Sequence, residues 1–222
     1  MVSNVTVYNN LLKPRECDHL ILDHTYHTHH EWVFQNPSLA EKLWKRLQKL
    51  KYPFSQTKDE FNTVWEVVGL DSEFHLTKHY PGEKLQKCMD TCHQPTYNLR
   101  GFASLTIYLN DTCRGGDTHF TDYGIRVAPQ KGRAFLYLVD KNMYESDTVV
   151  EGCKYMLRGN VMYQPASNDH QNMRLMHFEA RKKAMELDVS GSQEESEIKK
   201  LNDLWMYTYH LENLLYRKNS KK

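Results

Sequence analysis

Two hydrophobic rhythms divide this chain. Up to about residue 50, apolar residues recur at three- and four-residue steps, the spacing that lines them along one face of a helix. In LKPRECDHLILDHTY, Cys17, Leu20, Ile21 and Tyr26 fall on roughly one side, and Pro14 stands at a helix opening, where its missing N–H costs little. A second helix is predicted from Pro37 to about Leu50, because Leu39, Leu43, Trp44 and Leu47 repeat at the same steps and Ser38 can cap it. Between Phe61 and Tyr163 the pattern changes to strands and turns. VWEVVG reads as a short strand, FHLTKHYPG as a strand entering a Pro-Gly turn, and GFASLTIYLND as a β-branched strand ending in Asn-Asp. CRGGD, THFTDY, the loop APQKG, the strand RAFLYLV and finally CKYMLRGNVMY complete the series. Gly115, Gly116 and Gly132 are turn residues, since the strand, loop, Lys and helix order of a phosphate loop is absent. Many short strands without intervening helices of about 10–15 residues predict a mainly β fold, an antiparallel sandwich or barrel with flanking helices.

Beyond Tyr163 the strand signal ends. Residues 169–187 predict a helix, SGSQEESE a polar break, and 198–215 an amphipathic helix with Ile198, Leu201, Trp205, Leu211 and Leu215 near one stripe. That stripe is suited to packing on its own domain or to self-association. No Gly/Pro/Ser-rich linker divides the chain, so one domain over 1–187, with its β core at about 61–163, and a C-terminal helix in 188–222 are expected.

Composition narrows the function classes. Hydrophobic residues make up 40%, charged residues 26% and the formal net charge is +1, an ordinary balance for a folded soluble protein with no bias toward nucleic acid or anionic membrane. Lys and Arg are dispersed, and no basic, aromatic-rich motif marks a base-reading surface. The start MVSNVTVYNNLL lacks a basic n-region and an apolar h-region, and no run of about 18 apolar residues follows, so an intracellular, cytoplasmic protein is expected. Five cysteines, Cys17, Cys88, Cys92, Cys113 and Cys153, are odd in number and lack zinc-site spacing, which favours thiols over disulfides. His29 and His30 read as surface residues. The sequons at Asn4 and Asn110 have no consequence in that compartment.

Chemistry concentrates in KCMDTCH, where Cys88, Asp90, Cys92 and His93 fall within seven residues. Read with its neighbours, HYPGEKLQKCMD followed by LTIYLNDTCRGGDTHF, VAPQKGRAFLYLV and EGCKYMLRGNVMY resembles the iron(II) and 2-oxoglutarate dependent dioxygenases of the prolyl 4-hydroxylase type. The resemblance runs from about Phe74 to Tyr163 and implies a double-stranded β-helix, the jelly-roll or cupin-like fold. It also implies a His-x-Asp and a distal His that hold the metal. Aligned from the Tyr-Pro-Gly turn, Cys88 takes the first His position and Asp90 the Asp position; aligned back from Lys154, Tyr144 takes the distal His position. Only Asp90 is retained. Cys92, His93 and His119 are the nearby substitutes that could complete a rearranged site.

The co-substrate end is better kept. By resemblance Lys154 is the cation that pairs with the distal carboxylate of 2-oxoglutarate; Arg158, four residues on along the same strand face, is a second anion ligand, and Thr106 and Tyr108 can add hydroxyls. The leading expectation is a dioxygenase-like binding protein, a pseudoenzyme that has lost the iron site but keeps a pocket for 2-oxoglutarate, another dicarboxylate or a peptide. One alternative is an active hydroxylase using a rearranged metal site. Another is a non-oxidative enzyme in which Asp90 is the base, Tyr144 the donor and Lys154 the anion clamp.

Overall fold

The computed structural model describes residues 5–24, 30–59, 63–111, 114–139, 141–167 and 171–190, together with 202, 204–206, 208, 209 and 211–213. In chain order the elements are β1 (Val5–Tyr8), α1 (Pro14–His24), β2 (Glu31–Gln35), α2 (Pro37–Lys49), β3 (Gln56–Lys58), β4 (Val64–His79), β5 (His93–Thr96) and β6 (Leu99–Tyr108). They continue with β7 (Arg114–Gly115), β8 (Thr118–Phe120), β9 (Ile125–Val127), β10 (Ala134–Leu138), β11 (Tyr144–Ser146), β12 (Val149–Glu151), β13 (Lys154–Pro165) and α3 (Gln171–Ser190). They form two compact units, the first comprising Met1–Ser55, Val68–His93 and Gly101–Met162, the second Gln56–Val67, Gln94–Arg100 and Tyr163–Lys222.

The first unit is built on an open sheet in the order β1-β10-β6-β13-β4-β2, accompanied by a three-stranded sheet β11-β8-β9 and the pair β12-β7. Alternation along RAFLYLV decides how the sheets meet. Phe135 and Tyr137 lie on one face of β10 and join Val5 and Tyr108 from the large sheet with Phe120, Val127 and Tyr144 from the small one in a single buried cluster. Phe120 is the hub, with ring centroids 5.8 Å from Phe135, 5.1 Å from Tyr137 and 5.8 Å from Tyr144. Each fully buried ring of this kind contributes about 1.5–3 kcal/mol. From Gly101 to Tyr108, β6 is buried at every position, so its run of apolar residues has no exposed face. The two N-terminal helices bury Cys17, Leu20, Leu39, Leu43 and Leu47 and are tied together by Arg46, which donates to Glu16 at 2.7 and 2.8 Å and to the Leu11 carbonyl at 2.8 Å.

Several sequence expectations need correction. VWEVVG and FHLTKH are one sixteen-residue strand, β4. Polar Asp71, Ser72 and Glu73 interrupt its apolar pattern, but β2 pairs alongside and supplies Gln35, which accepts from Ser72 and donates to Glu73. Strands β1 and β2 were not anticipated: each is short, and the partner of β1 is β10, with Val5 opposite Tyr137. Asn36, not Ser38, caps α2, its Oδ1 accepting from the Leu39 N–H at 3.0 Å. Tyr26 and His29 lie outside the described residues, whereas His30 is exposed beside Glu83 at 3.3 Å. Cys17, Cys88, Cys92 and Cys153 are thiols rather than half-cystines; Cys113 lies outside the described residues.

In the second unit Asp59 organises a turn, accepting from the Thr63 N–H and the Trp65 indole, both at 2.9 Å. Strand β3 pairs there with the start of β4, Thr57 opposite Trp65. On α3 the buried positions Arg174, His177, Ala180 and Ala184 follow three- and four-residue steps. The described residues between 202 and 213 are helical, with Thr208 and Leu211 buried, and Glu212 lies 3.0 Å from His177. Trp205 does not share that buried seam: it is 40% exposed, and Met206 and Tyr209 are more so. Ile198, Leu201 and Leu215 lie outside the described residues. Among the described residues no helix is long and apolar enough to cross a membrane.

Candidate functional site

Cys88 and Tyr144 face each other directly. KCMD forms no strand; instead Cys88 makes an isolated antiparallel bridge to Tyr144, each N–H donating to the other's carbonyl at 2.9 Å. The preceding residues follow the same track, for Ser146 donates its N–H to Leu85 at 3.0 Å and Gly82 donates to Val149 at 2.8 Å. This lacing along β11 and β12 sets the position of Asp90, two residues past the bridge.

Three donors converge on the Asp90 carboxylate. Tyr137, on β10 of the large sheet, donates its hydroxyl to Oδ2 at 2.5 Å; Tyr144, on β11 of the small sheet, donates to Oδ1 at 2.7 Å; Arg158, on β13, donates Nη1 to Oδ1 at 3.2 Å. Tyr137 and Tyr144 belong to the aromatic core, their ring centroids 5.4 Å apart, so packing aims both hydroxyls at Asp90. Burial, together with the neighbouring carboxylate, pushes both phenols above the ordinary tyrosine range. Burial also raises the Cys88 thiol, with the Asp90 charge acting in the same direction. Burial is the largest single influence on Arg158 and disfavours its charge, but Asp90 acting with Tyr137, Tyr144 and Glu31 outweighs it and keeps the guanidinium pKa raised.

These residues do not fit iron(II). A thiolate and a phenolate would have to form at Cys88 and Tyr144, where similar sites use imidazoles that are neutral donors at neutral pH, and burial raises both groups. The carboxylate already accepts from two hydroxyls and a cation. Nor do the possible substitutes gather: His119 lies 3.1 Å from Asp147, His93 is 3.9 Å from Asp71, and the Cys92 thiol turns to the His93 carbonyl. Among the described residues no group of three or more His, Cys, Asp and Glu could hold a metal ion.

Lys154 opens β13 and is 1% exposed, with Nζ donating to the Gly116 carbonyl at 3.0 Å. Gly116 has φ +75°, and a Cβ there would stand 3.1 Å from Lys154 Cδ, so the glycine makes room for the lysine stem. Arg158 serves Asp90, and Tyr108 is engaged by the small sheet, its hydroxyl donating to the Val127 carbonyl at 3.0 Å and meeting Thr118 at 2.7 Å. Thr106 is buried on the same strand. The structure thus brings Cys88, Asp90, Tyr144 and Arg158 together and sets the Lys154 ammonium beside the Gly116 carbonyl. Sequence reading missed Tyr137, whose only signal is a polar tip on an otherwise apolar strand face, and His79, whose Nε2 is buried with no hydrogen-bond partner. Burial, reinforced by the Lys154 charge, lowers the His79 pKa to about 4.

No protein-family model and no curated protein matches the chain. Solved structures do. A viral collagen prolyl hydroxylase from Paramecium bursaria Chlorella virus-1, in complex with 2OG, superposes with a TM-score of 0.51 at 17% identity, covering 73% of this chain and 97% of that one. A truncated form of the same viral protein gives 0.54 at 16% identity, over 73% and 90% of the two chains. A Pseudomonas putida prolyl-4-hydroxylase gives 0.48 at 13% identity, over 75% and 95%. The likeness is one of fold: this mixed sheet-and-helix chain shares the fold of the viral prolyl hydroxylase, a relative of the jelly-roll, here with an open large sheet and no metal-binding cluster among the described residues.

Proposed function

We propose that the protein is a pseudoenzyme of this fold: a metal-independent binding domain whose ligand is a small dicarboxylate of the 2-oxoglutarate type. The observation that carries the reading is the Asp90 carboxylate, engaged by Tyr137, Tyr144 and Arg158 where iron chemistry would need it as a ligand. Lys154 supports the ligand class. Its ammonium is buried, donates to the Gly116 carbonyl and stands at the position that, by the resemblance, faces the distal carboxylate of 2-oxoglutarate.

Calorimetry of 2-oxoglutarate binding without added metal, on wild type and Lys154→Met, tests both halves when paired with a succinate assay under anaerobic iron(II) loading and oxygen exposure. Wild type is expected to bind and to release no succinate, and the methionine, which keeps the volume but loses a charge-assisted hydrogen bond, is expected to weaken binding by about 10–100-fold. Succinate release abolished by Asp90→Asn would restore the enzyme reading. Equal affinity of the two proteins, or no binding by folded wild type, would remove the dicarboxylate.

A further inference from the structure

We propose that the Arg158 guanidinium is a built-in substitute for the divalent cation of this fold: it supplies the positive charge that Asp90 would otherwise take from a metal, and so closes the site to metal ions. This deepens the pseudoenzyme reading and rests on its claim that Asp90 ligates no iron. It does not depend on any ligand at Lys154.

The geometry fits a substitution of charge rather than a simple loss of ligands. Asp90 Oδ1 accepts from both Tyr144 and Arg158, and Oδ2 accepts from Tyr137, so a cation and two hydroxyls surround one carboxylate much as a metal and its outer partners would. Arg158 reaches it from the long strand β13, whose register is set within the sheet, while Asp90 is placed by the bridge at Cys88. A guanidinium cannot be deprotonated in a protein, so its charge is permanent. A metal approaching Asp90 would have to displace that charge or sit beside it, and like charges at this range repel. Loss of two imidazoles alone would leave a weak metal site. Loss together with Arg158 leaves a neutralised carboxylate with no need of a metal.

The proposal makes an order of events measurable. Returning imidazoles with Cys88→His and Tyr144→His should restore little metal binding while Arg158 remains, and adding Arg158→Leu should tighten it. Anaerobic cobalt(II) titration, followed by calorimetry and visible absorption, is expected to show no saturable binding by wild type. The triple variant is expected to bind at least about 10-fold more tightly than the double variant, a difference of about 1.4 kcal/mol. Equal affinity of the double and triple variants overturns the substitution while leaving the pseudoenzyme reading in place. Stoichiometric cobalt binding by wild type that disappears in Asp90→Asn overturns both. Should the imidazole variants fail to fold, urea unfolding of wild type, Arg158→Leu, Asp90→Asn and the pair decides the matter. Charge substitution requires Arg158→Leu to cost clearly more beside Asp90 than in the Asp90→Asn background, and equal costs overturn it.

Discussion

His79 is a half-buried base whose protonation folding opposes. Its Nε2 has no hydrogen-bond partner, and burial with the nearby Lys154 charge brings its pKa to about 4 from an ordinary 6.5. A base with a depressed folded pKa is bound to fewer protons in the native state, so stability is whole above about pH 6.5 and falls as the pH drops toward 4. The loss across that window should be about 2 kcal/mol, discounted for the part of the ring that reaches solvent. Urea unfolding at half-unit pH steps checks it: His79→Gln should flatten the slope between pH 6.5 and 4, and an unchanged slope would place the linkage elsewhere. Glu16 acts lower on the scale. Its hydrogen bonds to Arg46 bring the carboxyl to about 2, so its contribution is present above about pH 4.5 and is lost as the pH falls through 2. The two residues therefore act in successive windows of one titration, overlapping only near pH 4 to 4.5.

At the scale of elements, turns place the strands that carry the site. Gly132 has φ +78°, its N–H donates to Tyr108 and its carbonyl accepts from Leu11, so the turn before β10 also holds the segment after β1. A Cβ there would stand 2.2 Å from the Leu12 carbonyl oxygen, whereas at Gly124, with φ +62°, it would meet nothing within 4 Å. Gly124→Ala should cost about 1 kcal/mol, the left-handed backbone alone, and Gly132→Ala at least about 2 kcal/mol more, since backbone must move. Thermal unfolding of the two variants against wild type reads the difference, and equal losses would mean that the turn yields without disturbing the N-terminal segment. The N-terminus of α2 is the milder case: Asn36→Ala should cost about 1 kcal/mol. The helices, β6, β10 and β13 were legible in the chain because each carries a strong local pattern, a helical period in the helices and long apolar, β-branched or aromatic runs in the strands. Strands β1 and β2 were not, because four or five residues carry little pattern and their edges are completed by partners far along the sequence.

Across the whole molecule, the C-terminal segment allows packing within its own unit to be told from self-association. His177 on α3 meets Glu212, and Thr208 and Leu211 are buried, while Trp205, Met206 and Tyr209 face outward. Deleting residues from Ser196 onward should lower the unfolding temperature without changing the number of chains per particle, as measured by light scattering. A drop from two chains to one would identify the outward aromatic face as a self-association surface. What the chain determined by itself was the helices and the longer apolar strands with the turns between them, since these follow from local spacing; the ligand positions assigned to Cys88, Asp90 and Tyr144 follow only from the resemblance to prolyl 4-hydroxylase-type oxygenases. Only the tertiary structure decided what that carboxylate does. Tyr137 and Arg158 lie 47 and 68 residues from Asp90, and their side chains meet it because sheet packing sets three separate backbone segments within hydrogen-bond reach, a convergence that no local period encodes.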